Sequence, residues 1–594
     1  MLAVAAALAG IAAEEPASAQ QLTETARPAE AFVDSVGVNV RLHHQGTVYD
    51  QGFSSIIRPK LLALGVRHVR DNAYTYASAN AGTFFYQRCR TLAQDGIRFD
   101  LVTSIATTSS EPTDFTKLDD MHSWCGGGIE AYEGANEPDI ATIPAGSPPW
   151  TTQTINAQRA LWSGVKGNPA ISGLAVFGPS AVFNPQQLGD LSGLLDFGNW
   201  HPYPGGQCPT CGDPYGSNID SLMAKYRSPS GAKPMVLTET GYHNAVNSAD
   251  TEHRPTSELA AGKYIPRMLF EHLNRGIPRT YLYELIDASP DAGRTSRDAN
   301  FGLLRNDGSE KPAFRGVQSL IGLLSDPGPA FAPGPLSYSL TGATPQVHHS
   351  LLQKRDGTFY LALWQERSSF DTGARANAAD NRAARGDIAN PDVPVTVSVG
   401  TPMAAAAQYR LAGDGTVAAT AVAQTQGGLQ VPVGDGVTVL ELRPPIKPAD
   451  ARANRRPSLS RVQLRHHTFR PGRYTAKKTR RGRRPKGTAL RYTVSEAATL
   501  VVSVDRRATG RRTGSGSRRR CVAGTPRRAS QRCARYRSVG TVRIRVPAGR
   551  RSTPFSGWVK GKALARGRYR ARVVAVDALG ARSQQRVTSF RIVR

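Results

Sequence analysis

A (β/α)8 barrel followed by two all-β sandwich domains is the architecture predicted by this 594-residue chain. Three observations carry that expectation. Eight short apolar runs alternate with amphipathic segments over roughly 300 residues, the pattern of a barrel whose strands each lead into a helix. From about Pro333 the helical period gives way to short alternating strands punctuated by turn residues. The charge then steps sharply. Residues 451–594 carry 41 Lys/Arg against 3 Asp/Glu, whereas residues 1–450 carry 34 against 43. The whole-chain charge of +29 therefore conceals an acidic body and a strongly basic end, which argues for two separate jobs. So long a chain exceeds one core. With 40% hydrophobic residues, 18 Phe and 19 Tyr it has the material for several, which excludes a wholly disordered protein.

The opening residues 1–19 combine an apolar run, Leu2 to Ala13, with Ala17-Ser18-Ala19, the h-region and small-residue cleavage site of a secretory signal peptide. The plainer alternative is a frayed Ala-rich terminus. No later stretch reaches the roughly 18 apolar residues of a membrane span. The expected location is secreted or cell-wall associated.

Residues 31–332 are assigned to the barrel. Its strand candidates are 36–44, 66–71, 98–106, 129–139, 174–180, 197–204, 235–240 and 280–287, with helical spacing between most of them, as in FSSIIRPKLLALG. The competing doubly wound open sheet would carry a Gly-rich phosphate turn after its first strand, and this chain has none there. Residues 333–446 read as an accessory β-sandwich, with turns at Asp356-Gly357 and Asp414-Gly415 and a long polar insertion at 368–392. His348-His349 and His466-His467 read as strand or surface histidines, because no third ligand is spaced to join them. A Pro-rich linker, 447–460, precedes a basic β-sandwich at 461–594.

Six cysteines fall into three local pairs, Cys89 with Cys125, Cys208 with Cys211 and Cys521 with Cys533, as suits an oxidising compartment. Cys208 and Cys211 form CPTC. A redox motif would want a thioredoxin-like helix start and a zinc site two more ligands, so a structural loop clip is the expectation.

The chemistry concentrates in two stretches, IEAYEGANEPD (129–139) and PMVLTETGYH (234–243). Each reads as a buried strand that presents a glutamate, Glu137 or Glu239, near its end. Charged side chains are rare in a barrel interior, and two carboxylates at strand ends suit glycosidic bond cleavage. One protonates the leaving oxygen while the other attacks or stabilises the sugar cation. His201-Pro202-Tyr203 lies between the two stretches.

Together these motifs resemble clan A glycoside hydrolases over residues 36–320, with features of the cellulase family 5 and of family 39 but a clean fit to neither. The resemblance implies a retaining enzyme with Glu137 as acid/base and Glu239 as nucleophile. It implies that Asn136 contacts the sugar 2-hydroxyl and that Arg70 keeps the nucleophile ionised. His201 and Tyr203, two residues apart on strand six, would position the acid/base and the nucleophile respectively. Tyr283-Glu284 stands where the cellulase family usually has tryptophan, so Tyr283 becomes the candidate floor of the sugar subsite. The plainer alternatives are an Arg70–Asp71 surface pair and a satisfied core histidine at 201. Glu130 and Glu133 read as helix-facing or lower-layer residues, and Trp150, Trp200, Tyr215 and Tyr242 as top-loop aromatics able to stack on sugar.

The expected function is a secreted retaining O-glycoside hydrolase acting on a polysaccharide or glycoconjugate, with no metal or cofactor. The alternative is a non-catalytic carbohydrate- or polyanion-binding surface protein. The basic end resembles immunoglobulin-like or fibronectin-like modules of secreted bacterial proteins. Its arginine richness lacks an RRM, KH or zinc pattern, which favours an anionic cell-wall polymer over nucleic acid.

Overall fold

A parallel strand covered on both faces must be apolar almost throughout. The central strands of the barrel meet that demand: all four residues of Val36–Asn39 are buried, as are five of the six in Met235–Thr240. The structure, a computed structural model, describes residues 21–593 apart from 75–83, 107–111, 212–217, 251–252, 374–385, 424, 426–427, 446–456, 473–484, 514–518, 527, 560 and 578–580. The expected signal peptide and most of the expected linker lie outside the described residues.

Eight parallel strands form the barrel in chain order: Val36–Asn39, His68–Asn72, Arg98–Val102, Ile129–Glu133, Ala175–Phe177, Gly198–Trp200, Met235–Thr240 and Thr280–Leu282. The eighth pairs with the first, setting Tyr281 opposite Gly37. Between the fifth and sixth a single parallel bridge, Phe177–Phe197, closes the ring, supported by the Gly178 N–H donating to the Phe197 carbonyl at 2.9 Å. Most of the strands are shorter than the apolar runs that announced them, because their polar ends leave the ladder to form the loops around the site. Outside, helix Pro312–Leu324 shows how the sequence fixes the outer layer. Ala313, Phe314, Val317, Leu320, Ile321 and Leu324 recur at helical spacing and are all buried. Ser257 caps helix Glu258–Asn274 by accepting the Ala260 N–H. Inside, Ala131, Phe177, Val236 and Tyr281 form one apolar cluster.

The β-sandwich joins a four-stranded sheet to a six-stranded one. Strands Pro335–Thr341, Val393–Val399 and Leu429–Val433 belong to the first, and Val347–Gln353, Phe359–Gln365, Ala405–Leu411, Val417–Ala421 and Thr438–Arg443 to the second. Each sheet gains an edge strand from the start of the described chain. Gln21–Thr25 runs antiparallel to Pro335–Thr341, with Gln21 opposite Ser339. Arg27–Pro28 runs parallel to Val347–Gln353. Ala26, between them, is buried in the sandwich core. The base of the 368–392 insertion is a two-stranded ribbon, Phe370–Asp371 with Gly386–Asp387.

Barrel and sandwich share a core, in which Phe270 stacks on Trp364 with ring centroids 5.6 Å apart. Arg267 fastens the same boundary. It is fully buried, and its guanidinium donates to the carbonyls of Gln365 (2.9 Å), Asp435 (3.1 Å) and Arg367 (3.0 Å) and lies 3.3 Å from the Glu366 carboxylate.

The chain divides at Pro445–Ile446. In the second unit a three-stranded sheet (Leu459–Leu464, Thr488–Val494, Gly549–Phe555) shares one hydrophobic core with a larger sheet built around the 16-residue strand Ala498–Thr513. All six cysteines pair as expected: Cys89–Cys125, Cys208–Cys211 and Cys521–Cys533. Among the described residues no helix is long and apolar enough to cross a membrane.

Arg267→Ala should cost about 3–5 kcal/mol, since it strands a buried Glu366 and three carbonyls. The urea midpoint of the purified protein should fall accordingly, and an unchanged midpoint would contradict the fastening role.

Candidate active site

Arg70 projects from the second strand into the barrel and is 4% exposed. A guanidinium carries five N–H donors in a planar fork, and acceptors surround this one. Glu133 takes Nε (2.7 Å) and Nη2 (2.8 Å), Asn39 and Glu239 take Nη1 (3.0 and 2.5 Å), and Asn136 takes Nη2 (2.7 Å). Each acceptor is held in turn. The Asn39 amide donates to the Thr238 carbonyl at 3.0 Å, so its oxygen must face Arg70. Asn136 spends its oxygen on Arg70, and its NH2 has no hydrogen-bond partner among the described residues.

Glu239 stands in the seventh strand. Its Oε1 accepts from Arg70 and its Oε2 from the Tyr203 hydroxyl at 2.8 Å. Burial alone would raise its pKa, but the charges of His201 and Arg70 and the Tyr203 hydrogen bond hold it below the ordinary glutamate value. Tyr203 is pushed well up by burial and then by Glu239, so it remains a phenol and a donor. His201 joins the two glutamates. Its Nδ1 is 2.9 Å from Glu137 Oε1 and 3.8 Å from Glu239 Oε2. Its Nε2 is 2.9 Å from Thr238 Oγ1, which reaches Asn199 Oδ1 at 2.9 Å and Glu133 Oε1 at 3.1 Å. Burial opposes charge on the imidazole, yet Glu239 and then Glu137 raise its pKa above the ordinary histidine value.

Glu137 lies four residues beyond the end of the fourth strand, with a left-handed φ of 44°. Its N–H donates to the Ser180 carbonyl at 3.1 Å, and Asn136 bridges Ser180, so the loop after strand five holds it in place. Oxygen atoms of Glu137 and Glu239 and a nitrogen of His201 all lie within 4.8 Å of one another. Tyr283, joined to Glu284 by a cis peptide bond, packs at the edge of Phe301 with centroids 5.3 Å apart. Arg41 donates to its hydroxyl and pairs with Glu284 at 3.1 Å. Burial lifts Glu284 to a pKa of about 7 against the pull of Arg41 and Tyr49.

The structure thus brings Arg70, Asn136, Glu137, His201, Tyr203, Glu239 and Tyr283 to one cleft. Several placements differ from expectation. Glu133 takes an interior position, fully buried, and grips Arg70 with both oxygens. Asp71 does not pair with Arg70; it faces away and accepts from the Leu42 N–H at 2.8 Å and from His43 at 3.1 Å. His201 and Tyr203 lie beyond strand six, which ends at Trp200. Trp200 is 3% exposed and stacks on Tyr226, Tyr242 is equally buried against Tyr264, and Trp150 packs beside the Ala181–Leu195 cluster. Trp200 and Tyr242 are thus spent on packing, whereas Trp150 is only partly buried. Tyr215 lies outside the described residues. Asn39, Asn199, Thr238 and Asp100 had escaped notice. Burial and then the charge of Glu133 push the Asp100 carboxyl well above the usual carboxylate range.

The donor set does not suit a metal. Arg70 and Tyr203 already occupy both oxygens of Glu239, and the convergent Cys208, Cys211 and Glu366 include two sulfurs bonded to each other.

No family model and no curated protein matches this chain. Among solved structures, it is similar to a family 39 glycoside hydrolase from Bacteroides cellulosilyticus WH2, with 15% identity over 70% of this chain and 81% of that one and a TM-score of 0.45. It is similar to a glucosidase from Croceicoccus marinus, at 14% identity over 72% and 97% with a TM-score of 0.44. A family 51 alpha-L-arabinofuranosidase from Bifidobacterium longum matches at 11% identity over 72% and 98%, with a TM-score of 0.41.

Because His201 has a raised pKa, its charge stabilises the fold fully below its ordinary 6.5 and that contribution is lost as pH rises through the raised value. Urea midpoints measured from acid to alkaline pH should fall across that window, and His201→Asn should flatten the fall. An equal decline in the variant would assign the effect to other groups.

Proposed function

We propose that the protein is a secreted retaining O-glycoside hydrolase, with Glu239 as nucleophile and Glu137 as acid/base. The observation that carries the reading is the unequal treatment of two neighbouring carboxylates. Glu239 has both oxygens held by donors and a lowered pKa, as an anionic nucleophile requires. Glu137 borders the open cleft and touches only one side-chain partner among those described, His201. In the proposed first step a Glu239 oxygen attacks the anomeric carbon while Glu137 delivers its proton to the departing oxygen. In the second, Glu137 takes a proton from water as that water displaces Glu239. Approach of the two carboxylates to within 4.8 Å supports retention, since inverting pairs stand about 6.5–9.5 Å apart to admit a water. The free NH2 of Asn136 suits the 2-hydroxyl, a contact that strengthens as positive charge develops on the ring.

The product first formed should keep the anomeric configuration of the substrate, read by NMR during early turnover. Glu239→Gln should abolish turnover of every substrate. Glu137→Ala should slow unactivated substrates by about 10²–10⁴-fold, spare those with good leaving groups, and respond to added azide by forming a glycosyl azide of retained configuration. Net inversion would reassign Glu239.

The basic unit is proposed to hold the enzyme to an anionic cell-wall polymer. Asp505, one of three acids in residues 451–594, is already clasped by Arg570 and Arg572 at 2.9 Å, and arginines such as Arg537, Arg543 and Arg545 stand exposed along one strand. Truncation after Pro445 should preserve turnover of a small soluble glycoside and remove salt-sensitive adsorption to acidic polymers. Loss of small-substrate turnover in a folded truncation would contradict this division.

A further inference from the structure

The proposed scissile bond sits between a polar space and a larger one of mixed polar and apolar lining. Glu239 and Tyr283 border both. The smaller, about 260 Å³, is bordered by Asn136 and lined by polar side chains such as Arg41, His43, Asp71 and Asn72. The larger, about 740 Å³, is bordered by Glu137. An asparagine that reads the sugar 2-hydroxyl marks the sugar side, and an acid that protonates the departing oxygen marks the leaving-group side. The leaving group therefore departs into the larger space.

Next to Glu137 that space has a largely apolar wall of Ile140, Val182, Phe183, Leu222 and Tyr226, with Ser221 and Lys225 at its helical side. Ile140 is 52% exposed and Phe183 50%, among the most exposed large apolar side chains of the described protein. Neither is exposed by a loose backbone. The Asp139 carboxylate accepts the N–H groups of Val182 (2.7 Å), Phe183 (2.7 Å) and Asn184 (2.9 Å), the Ile140 N–H donates to the Glu137 carbonyl at 3.3 Å, and the Tyr226 hydroxyl donates to the Val182 carbonyl. Behind the wall Trp200, Ile219 and Tyr226 form a buried cluster. Polar groups, Arg297, Asp298 and His253, also line the space. An apolar surface held rigidly against solvent beside a reacting bond marks a binding surface. A second sugar there would set hydroxyls against Ile140 and Val182, where nothing on those side chains can pair with them.

We infer that the leaving group is apolar: the substrate is an amphiphilic glycoside, a sugar joined through oxygen to an alkyl or aryl aglycone, rather than an internal linkage of a polysaccharide. The inference rests on the glycosidase reading and deepens it. A panel of aryl glycosides first identifies the sugar. With that sugar, kcat/KM is then measured on n-alkyl glycosides from methyl to octyl and on the corresponding disaccharide. The expected result is a rise of about fourfold per methylene along the wall, from the free energy of burying each one, with the octyl glycoside cleaved faster than the disaccharide. Phe183→Ser combined with Ile140→Ser should flatten that slope, and Phe183→Leu, which keeps the hydrocarbon, should retain it. On the unaltered protein, competition by free n-alkanols against an aryl glycoside should show a parallel dependence on chain length, independently of how the variants fold. A flat series, or faster cleavage of the disaccharide, overturns the apolar leaving group alone. Failure to turn over any aryl glycoside overturns the glycosidase reading and the inference with it.

Discussion

The site depends on one guanidinium finding an acceptor for every donor. A charge buried as deeply as that of Arg70 is tolerable only when it is paired and fully hydrogen-bonded. Its partners come from the first strand (Asn39), the fourth (Glu133), the turn after it (Asn136) and the seventh (Glu239). The planar fork therefore measures the barrel's interior: if any of those strands slipped by a residue, a donor would be stranded. Lysine could match the charge but not the five fixed directions. Geometry and electrostatics are one device here, since the contacts that set the strands also hold Glu239 ionised.

His201 faces both glutamates through one ring nitrogen, Nδ1, and Thr238 through the other. Its raised pKa is owed first to Glu239. On the proposed path Glu239 becomes an ester, and the chief support for charge on the imidazole disappears at the moment when Glu137 must change from acid to base. Thr238 then offers the other ring nitrogen a partner that can either donate or accept, so the imidazole keeps its position in both states.

Much of this was legible in the sequence, for identifiable reasons. Eight strand runs could be read because strands buried on both faces cannot hide their apolar character. Glu137 and Glu239 stood out because carboxylates are rare at such positions. For Glu133 the lower-layer alternative is the one the fold takes, and its grip on Arg70 is not legible because alternation along IEAYE does not say how deep in the barrel each inward residue lies. Trp200 and Tyr242 looked like sugar platforms because sequence shows an aromatic near a loop, not which neighbour covers its face. Ile140 and Phe183 drew no attention for the converse reason: nothing in a linear string shows that Asp139 reaches across to three N–H groups and holds both side chains out. The strands at Gln21–Thr25 and Arg27–Pro28 were invisible because an exposed edge strand such as QLTET carries little apolar signal.

Those two short strands have a consequence for the order in which the molecule is made. Gln21 leaves the ribosome early, but its partner Ser339 follows only after the entire barrel has been synthesised. Bringing such distant segments together in an unfolded chain costs loop-closure entropy, whereas a barrel already folded between them shortens the effective loop. Domains generally fold as units during synthesis, the N-terminal one first. The nascent chain thus carries an unpaired edge segment until Pro335–Thr341 arrives to receive it. A product cut short before Pro335 would lack the strand that receives Gln21–Thr25.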